Sequence, residues 1–81
     1  MSYTERISTD PGVLRGKPVV KNTRISVELI LKKLSQGASH EDLLRSYPRL
    51  NREDILASLE YASARIANEE EMVISTVDPD S

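Results

Sequence analysis

Ser26–Ile66 reads SVELILKKLSQGASHEDLLRSYPRLNREDILASLEYASARI, and three helical patterns follow one another in it with almost no slack. Ser26 precedes the apolar set Val27, Ile30, Leu31 and Leu34, and Gly37 stops that run. Ser39 opens a second run holding Leu43, Leu44 and Tyr47, which Pro48 ends. Asn51 opens a third, with Ile55, Leu56, Leu59, Ala62 and Ile66. Residues three and four apart share one face of a helix, so each set predicts an amphipathic helix. Three short helices joined by tight turns are the plan of the helix-turn-helix class, many of whose members bind DNA.

The punctuation agrees with the periodicity. Ser26 and Ser39 are good N-caps, with Glu28, Glu41 and Asp42 near positive helix ends. Lys32 and Lys33 sit near the negative end of the first helix, and Gly37 suits the left-handed residue that closes it. Ser39-x-x-Asp42 is close to a capping box, with Asp where Glu or Gln is usual. The third helix is expected to run from Asn51 to about Ile66, near four turns.

Outward from this core the chain changes character. Met1–Arg6 is polar and expected to be loose. Ile7–Thr9 predicts a short strand closed by Pro11-Gly12, and Val13-Leu14 and Pro18–Val20 are further extended candidates, with Gly16 turning the chain between them. Strands this short need the helices for support. The domain is therefore expected over residues 1–68, mainly α, with a short N-terminal β-ribbon on a three-helix core. Residues 69–81 read as an acidic and apolar tail. Glu69–Glu71 is followed by the β-prone run Met72–Val77, a strand that folds back or an arm that waits for a partner's groove. Met72, Val73, Ile74 and Val77 are the candidate partner-binding residues.

At 81 residues the chain is one domain at most. It holds no cysteine, phenylalanine or tryptophan, so disulfides and thiolate metal sites are excluded and the core must be aliphatic. No apolar run approaches the roughly 20 residues of a membrane span, and there is no signal-peptide pattern, so a cytoplasmic location is expected. The net charge of −2 conceals an asymmetry. Val13–Arg65 carries ten basic residues against six acidic ones, while the remainder carries Arg6 against seven acids. A mildly basic body with an acidic tail is compatible with a polyanionic ligand, and equally with ordinary mixed surface charge.

Catalytic chemistry is sparse. His40 is the one histidine, and no cluster of His, Cys and carboxylates suggests a metal site. Glu41-Asp42 and Glu53-Asp54 are explained by helix N-termini. Gly12–Lys17 is one residue short of a phosphate-binding loop, with Pro18 where Ser or Thr belongs. No enzyme activity and no cofactor are expected. The candidate DNA contacts are Lys17, Lys21 and Arg24 on the ribbon and its exit, and Arg49 and Arg52 around the start of the third helix. Arg52 suits a bidentate contact to guanine or phosphate. Alternatively, Arg49 and Arg52 simply pair with Glu53 and Asp54.

The run Asp10–Val27, DPGVLRGKPVVKNTRISV, resembles the N-terminal signature of the domain of unknown function 433 family. So do Leu34–Ser39, Leu43-Leu44, Tyr47-Pro48 and Asp54–Ala62, in order and at matching spacing. The resemblance covers roughly Ile7–Ala64. It implies a homeodomain-like trihelical protein, and for many members an antitoxin of the VapB type encoded beside a PIN-like ribonuclease toxin. One departure is Asn22, where the family usually has Gly before the Thr-Arg pair. Asn tolerates positive φ next best after Gly, so a left-handed turn is expected there. Operator DNA, such a toxin and a second copy of the chain are the partners this reading implies. A stand-alone DNA-binding regulator and a protein-interaction module without nucleic acid are the competing readings.

Overall fold

The computed structural model describes residues 3–74, with side chains for residues 3–69. The expected architecture is present. Strands β1 (Ile7–Ser8) and β2 (Val19–Val20) precede helices α1 (Val27–Ser35), α2 (His40–Ser46) and α3 (Arg52–Ile74). The strands pair antiparallel, Ile7 opposite Val20 and Ser8 opposite Val19. The other edge of β2 is also used. Val20 N–H donates to the Ile25 carbonyl at 2.9 Å and Val27 N–H to the Pro18 carbonyl at 3.0 Å. β2 thus lies between β1 and the segment that feeds α1, and the ribbon is continuous with the helical core.

Each helix begins and ends as its local chemistry requires. The Ser26 hydroxyl accepts from Leu29 N–H at 3.0 Å. After α1 the Ala38 and Gly37 amides donate to the Lys33 and Leu34 carbonyls at 3.1 and 3.0 Å, with Gly37 at φ 97°. That is a Schellman closure, which a β-carbon would strain. At α2, Asp42 N–H donates to the Ser39 hydroxyl at 3.0 Å, and Ser39 N–H donates to the Asp42 carboxylate at 2.9 Å. Asp, one methylene shorter than Glu, still completes the box. Asn51 and Asp54 form the same reciprocal pair at α3, at 2.9 and 3.1 Å.

The core is aliphatic. Ile7, Val20, Val27, Ile30, Leu43, Leu50, Ile55 and Ala57 form one cluster, with Tyr3, Leu31, Leu34, Tyr47 and Tyr61 packed on it.

Four local expectations are corrected. The N-terminal residues from Tyr3 are not loose. Tyr3–Glu5 is a 3-10 turn, the Tyr3 ring meets Tyr61 edge-on at 5.5 Å, and Tyr3 N–H donates to Glu60 at 3.1 Å. Val13-Leu14 is not extended as a pair, because Leu14–Gly16 is a turn whose residues all have positive φ (48°, 58° and 83°). Third, α3 does not stop near Ile66. It passes Asn68, where the domain was expected to end, and reaches Ile74, since Glu and Met are good helix formers and nothing breaks the run. Met72, Val73 and Ile74 are its last turn, not a strand, and Val77 lies outside the described residues.

The fourth correction concerns which way α3 faces. Its apolar set does not all point inward. Asp54, Ile55, Ala57 and Ser58 are buried, whereas Leu56, Leu59 and Ile66 are 42 %, 37 % and 54 % exposed. Periodicity locates an apolar stripe but not what it faces. The Asn51–Asp54 cap and the ribbon packed against it turn a polar residue inward, and Ser58 meets its own burial by donating to the Asp54 carbonyl at 2.9 Å.

Asp54→Ala removes both the cap and a charge-assisted bond, so unfolding in urea is expected to show a loss of about 2–4 kcal/mol. The Asp42 carboxyl is held below the usual carboxylate range by the Ser39 backbone N–H and then by the Ser39 side chain. A lowered carboxyl stabilises the fold while ionised, and that contribution disappears as the pH falls through its folded-state value. Asp42→Asn is therefore expected to flatten the acid limb of a stability–pH profile, measured by thermal melting below the ordinary carboxylate range.

Candidate nucleic-acid interface

The turn between β2 and α1 is shaped by two side chains. Asn22 has φ 63°, the left-handed geometry anticipated for it, and Thr23 N–H closes the turn onto the Val20 carbonyl at 3.1 Å. The Thr23 hydroxyl donates to the same carbonyl at 2.7 Å and accepts from Ile25 N–H at 3.0 Å. Thr23 is thus a brace. With the turn fixed, Lys21 and Arg24 stand on either side of it, both exposed.

Across from them lies the connection from α2 to α3. Pro48 ends α2 geometry at Tyr47, and Leu50 N–H turns back to the Tyr47 carbonyl at 2.9 Å with Leu50 buried. Arg49, between them, is exposed. The two turns share an open cleft of about 640 Å³ whose lining includes Lys21, Asn22, Thr23, Arg24 and Arg49, together with Ser8 and Asp10. An adjoining depression of about 350 Å³ shares Lys21 and Arg49 and extends to Arg6, Asn51 and Asp54.

Three of the five candidate DNA contacts, Lys21, Arg24 and Arg49, therefore converge. Among the described residues no hydrogen bond or ion pair engages their side chains. Asp10 is the acid of the main cleft, and its carboxylate accepts from Gly12 N–H at 2.8 Å. The other two candidates lie elsewhere. Lys17 donates to Glu28 at 2.9 Å, and this contact holds the Glu28 carboxyl below its ordinary range. Arg52 is exposed at the first residue of α3 and lines neither depression. It does not pair with Glu53 or Asp54, because Asp54 is turned inward to Arg6 at 3.1 Å. Among the described residues no group of His, Cys, Asp and Glu is arranged to hold a metal ion.

Arg6 is the residue that sequence reasoning passed over. It reaches Asp54 at 3.1 Å and Asn51 at 3.4 Å, binding the ribbon to the start of α3. No sequence signal marks it: Arg6 and Asp54 are 48 positions apart, and only the fold shows that Asp54 is a buried acid, which requires a charged or hydrogen-bonding partner.

A family model described as "Protein of unknown function (DUF433)" matches residues 7–62, the span that holds the ribbon, the cleft and all three helices through the middle of α3. The chain belongs to the DUF433 family. A crystal structure of a DUF433 member from Anabaena variabilis ATCC 29413 superposes with a TM-score of 0.73 at 32 % identity, covering 84 % of this chain and 67 % of that one. The uncharacterized protein y4eO of Sinorhizobium fredii (strain NBRC 101917 / NGR234) is 35 % identical over 60 residues, 74 % of this chain. This DUF433 chain spans about a quarter (27 %) of that relative's length. No helix among the described residues is long and apolar enough to cross a membrane.

The Asn22 turn offers a direct check on the cleft's scaffold. Asn22→Gly is expected to leave stability within about 1 kcal/mol of the parent, and Asn22→Val to lose about 1–2 kcal/mol through left-handed strain. Chemical denaturation of the two variants measures the difference.

Proposed function

We propose that this DUF433 chain is an antitoxin-like, DNA-binding module. The observation that supports the reading is the convergence of Lys21, Arg24 and Arg49 on one cleft with no described ion pair to neutralise them. Guanidinium forks and an ammonium lining one cleft suit phosphate oxygens, and Arg donates to a phosphate bidentately. The contact is mainly with the backbone, which positions a protein on DNA without specifying sequence. Arg52, at the leading end of α3, is the side chain with access to a base edge.

Three cations per chain are few, and a second copy binding a second half-site doubles them, as dimeric helix-turn-helix proteins do. The antitoxin part of the reading adds a PIN-like ribonuclease as protein partner and the end of α3 as the element that engages it. Co-expression with the product of the adjacent gene tests that part. Equal capture of this product by the full chain and by a chain ending at Asn68 overturns the role given to the end of α3.

A second reading, a protein-interaction module that does not bind nucleic acid, is favoured by the charge of α3. Arg52 and Arg65 stand against Glu53, Asp54, Glu60 and Glu69–Glu71 on that helix, and such a helix repels phosphate.

Retention of a labelled duplex across a salt series separates the readings. Counterion release predicts a log–log slope of about −3 per chain for three phosphate contacts. Arg24→Ala and Arg49→Ala are each expected to weaken binding and reduce the slope by about 1, and Lys17→Ala to change neither. Absence of retention at low salt refutes the DNA reading.

A further inference from the structure

Asn22 lines both depressions beside the ribbon, as do Lys21 and Arg49. It is exposed, and its backbone holds φ 63°. Asparagine adopts this geometry more readily than most residues because its short side chain can hydrogen-bond to nearby backbone. No such bond is made here. Thr23 closes the turn with its amide and braces it with its hydroxyl. Among the described residues no hydrogen bond engages the Asn22 carboxamide. The turn therefore fixes the direction of the Asn22 Cα–Cβ bond without using the side chain, and a donor and an acceptor stand unspent at the cleft wall.

The surroundings point to what those two groups meet. Lys21, Arg24 and Arg49 line the same cleft, and phosphates seated among them bring the attached nucleosides to its wall. Asp10 is the acid there. One oxygen of its carboxylate accepts from Gly12 N–H, and the other has no described partner. Base edges differ in what they offer such a wall. Guanine presents two acceptors, N7 and O6, thymine one acceptor and cytosine one donor, whereas adenine presents the N7 acceptor beside the N6 amino donor. A carboxamide satisfies both adenine atoms at once, its NH2 donating to N7 and its oxygen accepting from N6. The free Asp10 oxygen disfavours guanine, whose two acceptors it repels. Arg52 lines neither depression.

We propose that Asn22 is the specificity-determining residue of the cleft and pairs with the N6–N7 edge of an adenine whose neighbouring phosphates lie against Lys21, Arg24 and Arg49. This rests on the DNA-binding reading of the same cleft and deepens it by naming the base. It moves the base contact from the leading end of α3 to the ribbon turn.

The full chain is titrated by fluorescence anisotropy at low salt against three labelled duplexes. One has alternating A·T pairs, one is the same duplex with 7-deazaadenine in place of adenine, and one has alternating G·C pairs. 7-Deazaadenine carries C–H in place of N7 and keeps the backbone charge and the pairing edge. The A·T duplex is expected to bind at least about fivefold more tightly than either of the others. Asn22→Gly keeps the left-handed turn and removes the carboxamide. It is expected to bind the A·T and 7-deaza duplexes alike with the parental salt slope, because no phosphate contact is lost. Arg52→Ala is expected to keep the adenine preference. A circular dichroism melt verifies that Asn22→Gly is folded. Should the melt fall, Asn22→Asp, which also tolerates the turn and cannot donate to N7, replaces it with the same loss of preference expected. The N6–N7 edge is open on an unpaired strand as well, so a dA single strand and its 7-deaza counterpart form a second pair of probes. A preference for adenine in either form supports the assignment, and the form that binds more tightly names the source.

Equal binding of adenine and 7-deazaadenine in both forms overturns the proposal. So does a preference for the G·C duplex, because Arg24 or Arg49 then reads the base. Persistence of the adenine preference in the folded Asn22 variant, or its loss in Arg52→Ala, overturns it too. Failure of the DNA reading has a different signature, no retention of any probe at low salt, and takes this inference with it.

Discussion

Asp54 connects parts of the molecule that the chain keeps far apart. Its carboxylate accepts the Asn51 amide, which starts α3, and the Arg6 guanidinium, which holds β1 against that start. Its own carbonyl accepts the Ser58 hydroxyl one turn on. A buried carboxylate without such partners is costly, so the position of the ribbon, the phase of α3 and the burial of Ser58 depend on one another. The alternative phase, with Leu56 and Leu59 inward, leaves Asp54 facing water and the Arg6 contact unmade.

The arrangement also explains why the chain displays two unlike surfaces. With Asp54 inward, α3 turns three aliphatic side chains and a margin of acids toward solvent. The ribbon, held at the other side, carries Lys21 and Arg24 to the turn that holds Arg49. Lys21, Arg24 and Arg49 are thereby gathered at one cleft, although the net charge of −2 conveys little of this.

What was legible in the sequence is what is local. The caps at Ser26, Ser39 and Asn51, the Gly37 closure, the stop at Pro48 and the left-handed Asn22 each involve residues within a turn of one another, and residue type nearly determines them. The convergence of Lys21, Arg24 and Arg49 was half legible: all three were singled out, but Lys17 and Arg52 looked equivalent to them. Only the ribbon's path separates Lys17, which turns to Glu28, from Lys21. The inward face of α3, the Tyr3–Tyr61 contact and the Arg6–Asp54 pair were not legible, because they join residues more than forty positions apart and leave no spacing signature. The left-handed turn at Leu14–Gly16 was hidden for another reason: Leu and Arg at positive φ contradict their own preferences and are held there by their surroundings.

The separation between Arg6 and Asp54 has a bearing on the order of assembly. The helices have caps of their own and form from near neighbours, whereas the Arg6–Asp54 contact closes a loop of 48 positions and so comes late. The cleft takes two cations from the ribbon turn and one from the α2–α3 turn, so it exists only once that docking is complete. An anion seated between them would bind the docked form and not the open one, and by mass action would draw the ribbon onto α3. Capture of such a ligand and the last step of folding would then be a single equilibrium.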